Sequence, residues 1–111
     1  MDQAIRDSLD CYRVCVETFV YCIKKGGKHA DPDHLTVLND CMEICNLNAS
    51  FMIRNSIFSG RTAELCADIC EKCAVSCEAI DSADVQMKAC AETCRNCSRS
   101  CRKVETRTEV V

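Results

Sequence analysis

Residues 66–77 read Cys66-Ala67-Asp68-Ile69-Cys70-Glu71-Lys72-Cys73-Ala74-Val75-Ser76-Cys77. Residues 90–101 repeat the cysteine spacing as Cys90-Ala91-Glu92-Thr93-Cys94-Arg95-Asn96-Cys97-Ser98-Arg99-Ser100-Cys101. Steps of four, three and four residues are the rhythm of a helix seam. At about 100° per residue, each quartet falls within roughly 60° of one helix face. Neither stretch contains Pro or Gly, and the residues between the cysteines are compatible with helix. Thiols therefore stand where Leu and Ile line an ordinary bundle.

The same rhythm extends toward the N-terminus. A first helix is expected over Asp2–Lys25, ended by Gly26-Gly27. It carries Cys11, Cys15 and Cys22, with Thr18 in the slot where another cysteine would continue the seam. Asp31-Pro32 reads as an N-cap followed by proline in the first helical turn. The second helix is predicted over Pro32–Phe58 and closed by Ser59-Gly60, with His34, Cys41, Cys45, Asn48 and Met52 in seam phase. The third runs to about Ala79; Asp81-Ser82 then supplies the turn, with Ser82 as N-cap of the fourth. Short connections favour antiparallel neighbours, so the fold class is all-α, an antiparallel up-down-up-down four-helix bundle with a cysteine-lined core. Residues 1–103 form that bundle, and 104–111 are expected to be a flexible tail. Matching seam to seam predicts four layers. They are Cys11/Met52/Cys66/Cys101, Cys15/Asn48/Cys70/Cys97, Thr18/Cys45/Cys73/Cys94 and Cys22/Cys41/Cys77/Cys90.

A chain of 111 residues holds one such core. A formal charge of −3 gives no reason to expect a nucleic-acid partner. Thirteen cysteines would make a disulfide scaffold in a secreted domain. Here the count is odd, the opening residues 1–7 have no apolar signal core, and cysteines along one helix face pair poorly. No stretch approaches the roughly 20 apolar residues of a membrane span. The expectation is a cytoplasmic protein with free thiols.

Cysteine also packs as a small hydrophobe, but a seam of thirteen without one Leu exceeds what packing requires. Clustered thiolates select soft ions: Cu(I), Zn(II) or iron–sulfur clusters. Zinc prefers closed tetrahedra, commonly built from knuckles with two-residue spacers. Ferredoxin-type runs wrap loops around a cluster and end in Cys-Pro, which is absent here. Cys-x3-Cys pairs on a rigid helix suit near-linear or trigonal Cu(I). One Cu(I) per thiolate also leaves the core neutral, and burial opposes net charge. The reading is multiple Cu(I) ions held by Cys11, Cys15, Cys22, Cys41, Cys45, Cys66, Cys70, Cys73, Cys77, Cys90, Cys94, Cys97 and Cys101. The alternatives are an iron–sulfur electron carrier and a zinc-binding bundle. His34 and Met87 are candidate ligands at one end of the seam and Met52 at the other, each weighed against surface or space-filling roles. His29 reads as a solvated loop residue. No catalytic constellation is visible, so the chain is not read as an enzyme.

With Leu65-Cys66-Ala67-Asp68-Ile69-Cys70-Glu71-Lys72-Cys73 and Ala89-Cys90-Ala91-Glu92-Thr93-Cys94-Arg95-Asn96-Cys97 laid out, the chain resembles the four-helix-bundle copper storage protein family over about Asp2–Lys103. The resemblance implies thiolates along the bundle interior, many Cu(I) ions per chain, tetramers, and a cytosolic location for members without a signal peptide. Ala4, Ser8, Thr18 and Met87 stand where richer members have cysteines. Ile80-Asp81-Ser82-Ala83-Asp84 replaces their His-rich turn. A lower capacity is implied. Second apolar stripes, Leu9, Val16, Val20 and Ile23 on the first helix and Ile44, Leu47, Phe51 and Phe58 on the second, point to a subunit interface.

Overall fold

The computed structural model describes residues 1–104; the tail expected over 104–111 lies, but for Val104, outside them. Four α-helices follow one another: α1 (Asp2–Lys25), α2 (Pro32–Ile53), α3 (Ser59–Asp81) and α4 (Val85–Arg102). One 3-10 turn, Gly27–Ala30, joins α1 to α2. Consecutive helices pack on one another, and α4 closes the square against α1, giving a rod of 52 × 19 × 17 Å. The all-α antiparallel bundle is the fold the seams predict.

The connections follow local chemistry. Gly26 and Gly27 have φ of 71° and 55°, a left-handed geometry that glycine adopts without a Cβ penalty. Asp31 caps α2 as expected, its carboxylate accepting from the His34 N–H at 3.3 Å. Two expected boundaries are corrected. Helix α2 stops at Ile53, because Asn55 takes φ 53° just past the C-cap, a role asparagine fills when glycine is absent. The Ser56 N–H then donates to Phe51 O at 2.9 Å, and Ser59-Gly60 begins α3 instead of ending α2. The N-cap of α4 is Asp84, accepting from the Met87 N–H at 3.1 Å; Ser82 is the C-cap of α3.

The core is narrow because its side chains are small. All thirteen cysteines are buried free thiols, and Ala63, Ala67, Ala74 and Ala91 fill positions within or beside the seams. The expectation of a seam without leucine is corrected at one position: Leu38, in phase between His34 and Cys41, is fully buried in the core. Thiols on diagonally opposite helices consequently meet on the bundle axis. Cys11 and Cys70 sulfurs are 4.0 Å apart, and those of Cys41 and Cys94 are 3.9 Å apart.

Candidate metal centre

Moving along the axis, the structure brings ten of the cysteines into four overlapping groups. These are Cys45/Cys66/Cys70/Cys97, Cys11/Cys41/Cys45/Cys70, Cys11/Cys15/Cys41/Cys94 and Cys15/Cys73/Cys90/Cys94. Within each group the four sulfurs all lie within 4.8 Å of one another. Successive groups share two thiols: Cys45 and Cys70, then Cys11 and Cys41, then Cys15 and Cys94. The sites are therefore continuous, and a shared thiolate is placed to bridge neighbouring ions. Many sulfur pairs stand 3.7–4.0 Å apart, for example Cys11–Cys94 at 3.7 Å and Cys15–Cys90 at 4.0 Å. A metal–sulfur distance of about 2.3 Å puts trigonal thiolates about 4.0 Å apart. Small side-chain adjustments bring three sulfurs onto one ion.

The predicted layers are displaced. Cys22 does not share a layer with Cys41, Cys77 and Cys90. Its sulfur lies 3.5 Å from His34 Nε2 and 3.6 Å from Met87 Sδ. Cys41 meets Cys11, Cys70 and Cys94 instead. Cys11 is not level with Met52, and Thr18 does not meet Cys45, Cys73 or Cys94. The Thr18 hydroxyl donates to Val14 O at 2.7 Å and accepts from Gln86 Nε2 at 2.9 Å. The physical reason is the tight connection after Lys25: residues equally distant from its midpoint face each other, which sets Cys22 opposite His34. Matching thiol to thiol ignored this constraint and left out seam residues Ala4 and Ser8, both buried.

The two ends differ. At one, His34 is 2 % exposed, and its Nδ1 makes a 2.7 Å hydrogen bond with Ser76 Oγ, fixing the ring with Nε2 toward Cys22. Burial lowers the His34 pKa, which favours the neutral imidazole, the form that can bind a metal. Cys77 is buried just inside, beside Cys73 and Cys90. At the other end, Asn48 Nδ2 donates to Ser8 Oγ at 3.1 Å and to Cys101 Sγ at 3.4 Å, while its Oδ1 accepts from Thr62 at 2.9 Å. This polar plug covers Cys101, whose sulfur is 3.8 Å from Cys97. Met52 is buried in the same core cluster as the thiols. The plug residues Ser8 and Thr62 escaped the sequence reading as a unit because their meeting depends on helix register.

His29 is a further correction: it is buried, not solvated, and stacks edge-on with Tyr21 at a ring separation of 6.2 Å. Its imidazole faces Asp81 and Asp84, where the sequence showed only a turn.

Burial pushes the Cys22 thiol up to about 11, with the nearby Cys90 and Asp84 charges adding to the effect. Cys94 and Cys70 are also raised, first by the hydrogen bonds they share with Cys11 and then by burial. Such thiols stay protonated in the metal-free bundle and pack as apolar groups. The linkage sign is fixed. A thiol whose folded pKa exceeds its unfolded value of 9.0 contributes full stability below that pH. That contribution is lost as pH rises from about 9 through about 11, where the unfolded chain ionises first. The urea midpoint of the reduced apo chain is thus expected to fall between pH 8 and pH 10. A midpoint that rises over that interval contradicts the protonated core.

The family model described as copper storage protein matches residues 1–106. The chain belongs to the copper storage protein family. A crystal structure of a Nitrosospira multiformis protein superposes with a TM-score of 0.85 at 40% identity, covering 92% of this chain and 91% of that one. The Cu(I)-bound copper storage protein BsCsp3 superposes with a TM-score of 0.84 at 31% identity, covering 91% and 93%. The apo form of Csp3 from Bacillus subtilis gives 0.79 at 31% identity, covering 91% and 94%. The cysteine-rich protein YhjQ of Bacillus subtilis is 31% identical over 76 residues, which is 68% of this chain and 70% of that protein.

Proposed function

We propose that this copper storage family member takes up several Cu(I) ions and holds them on its core thiolates. The observation that carries the reading is the continuity of the site: four thiol groups share members in pairs along one axis. Isolated zinc sites need no shared ligands, and the ferredoxin-type cysteine run that ends in Cys-Pro is absent. A run of bridging thiolates suits a monovalent soft ion, since one Cu(I) for each thiolate keeps the buried core neutral. All thirteen cysteines are assigned as ligands, His34 and Met87 as donors at one end, and Met52 as the soft donor available at the other. The chemistry is sequestration, not catalysis. Anaerobic Cu(I) titration of the reduced chain followed by gel filtration tests it: copper travels with the protein, and a chain that emerges copper-free refutes the reading.

The relative in its Cu(I)-bound form supports this cargo. A cytoplasmic, reducing setting fits thiols that must remain unoxidised, and no helix among the described residues is long and apolar enough to cross a membrane. Association is proposed through α1 and α2. Leu9, Val20 and Ile23 on α1, Leu47 and Ile53 on α2 and Phe58 at the N-cap of α3 are each more than 40% exposed, whereas Val16, Ile44 and Phe51 of the expected stripes are half-buried. A bundle needs only one apolar stripe per helix, so the second stripe is surface to be covered by further copies of this chain, a tetramer by family resemblance. Sedimentation is expected to show an oligomer at micromolar concentration; a stable monomer contradicts the interface.

A further inference from the structure

Above the Cys22–His34–Met87 end, three side chains from two separate connections converge. His29 comes from the 3-10 turn after α1, and Asp81 and Asp84 flank the turn between α3 and α4. His29 Nε2 lies 3.6 Å from Asp84 Oδ2 and 3.9 Å from Asp81 Oδ2. The His29 side chain is only 4% exposed, and its Nε2 is buried without a hydrogen-bond partner. Such an orphaned polar atom is costly unless something occupies the space it faces. Both carboxylates are oriented by the backbone. Asp81 Oδ1 accepts from the Ala83 N–H at 3.1 Å and Asp84 Oδ1 from the Met87 N–H at 3.1 Å, which leaves each Oδ2 turned toward His29. Tyr21 further fixes Asp84 Oδ2 with a 2.6 Å hydrogen bond. Lys25 Nζ, 3.5 Å from the same oxygen and 3.3 Å from the Tyr21 hydroxyl, is the competing cation, and its side chain is half-exposed.

We propose that His29, Asp81 and Asp84 form a second metal site, separate from the thiol core, for a borderline divalent cation such as Zn(II). One imidazole and two carboxylates are the wrong donors for Cu(I) and the right ones for Zn(II). Nitrogen and oxygen ligands about 2.0–2.1 Å from a tetrahedral ion stand about 3.4 Å apart. The two distances from His29 need to close by only a few tenths of an ångström, the two carboxylates lie within 4.8 Å of each other, and water would complete the coordination. The ion would tie the turn after α1 to the turn before α4, over the end of the bundle. The site does not depend on the copper reading.

The test is equilibrium dialysis of the reduced, Cu(I)-treated chain against Zn(II), with copper and zinc both measured in wild type, His29→Ala and Asp84→Asn. Asparagine retains the N-cap acceptor for Met87, so helix α4 keeps its start. Wild type is expected to hold one Zn(II) more than either variant, with bound copper the same in all three. That difference reads this site whether or not the thiols carry copper. Lys25→Met is expected to bind Zn(II) several-fold more tightly, because the competing charge is gone. Equal zinc in wild type and both variants overturns the proposal. Zinc uptake matched by copper loss in all three proteins overturns it as well.

Discussion

Replacing His34 by Ala and Met87 by Leu is expected to slow both Cu(I) uptake and Cu(I) removal by a chelator by about tenfold, corresponding to about 1.4 kcal/mol of barrier. The number of ions bound at saturation stays nearly the same. The two ends of the rod differ in chemistry. At one end a neutral imidazole and a thioether converge within 3.6 Å of the Cys22 sulfur. Both are soft enough to accept Cu(I) and weaker than a thiolate, so they can pass the ion onward. At the other end, Ser8, Asn48 and Thr62 are engaged with one another across Cys101, and opening that plug breaks buried hydrogen bonds. Passage is therefore expected to be easier at the His34 end. Stopped-flow exchange with a coloured Cu(I) chelator measures both directions. Unchanged rates in the double variant, with slowing in Met52→Leu, place the mouth at the opposite end and contradict the account.

Substituting Leu for Cys41 is expected to destabilise the apo bundle by about 1–3 kcal/mol, although leucine is the more hydrophobic residue. Cys41 Sγ is surrounded by Cys70 at 3.8 Å and by Cys11 and Cys94 at 3.9 Å. The extra methyl groups have nowhere to go on an axis where four helices meet through thiols, and overpacking forces rotamers or backbone to shift. Cys41→Ser keeps the size and is expected to cost less stability. Both variants lose copper, since Cys41 belongs to two of the four thiol groups. Urea unfolding of the reduced apo proteins separates packing from ligation. A Leu variant more stable than wild type contradicts the view that the core is dimensioned for sulfur.

The sequence revealed the seams because helical phase depends only on spacing along one chain. Cys66 to Cys77 and Cys90 to Cys101 were legible as lining, as were the N-cap at Asp31 and the glycine end of α1. Register was less legible, because it depends on how long each connection is and how its residues bend. Asn55 in a left-handed conformation ends α2 earlier than Ser59-Gly60 would, and the tight turn after Lys25 sets Cys22 against His34 instead of Cys41. His29 illustrates the same limit. A histidine between a lysine and an alanine looks solvated until Tyr21, Asp81 and Asp84 close around it, and the two carboxylates come from a distant part of the chain. The polar plug at Asn48 likewise joins residues from three helices.

The most direct test of the central claim is the saturating stoichiometry of the reduced chain, titrated anaerobically with Cu(I) and counted by metal analysis after gel filtration. A continuous core of shared thiolates predicts close to one Cu(I) per cysteine, with about one proton released for each thiol engaged. It also predicts a helical apo protein, since protonated thiols already pack as a core. Saturation near one ion for every four cysteines, or an apo chain that is unfolded until metal is added, contradicts it.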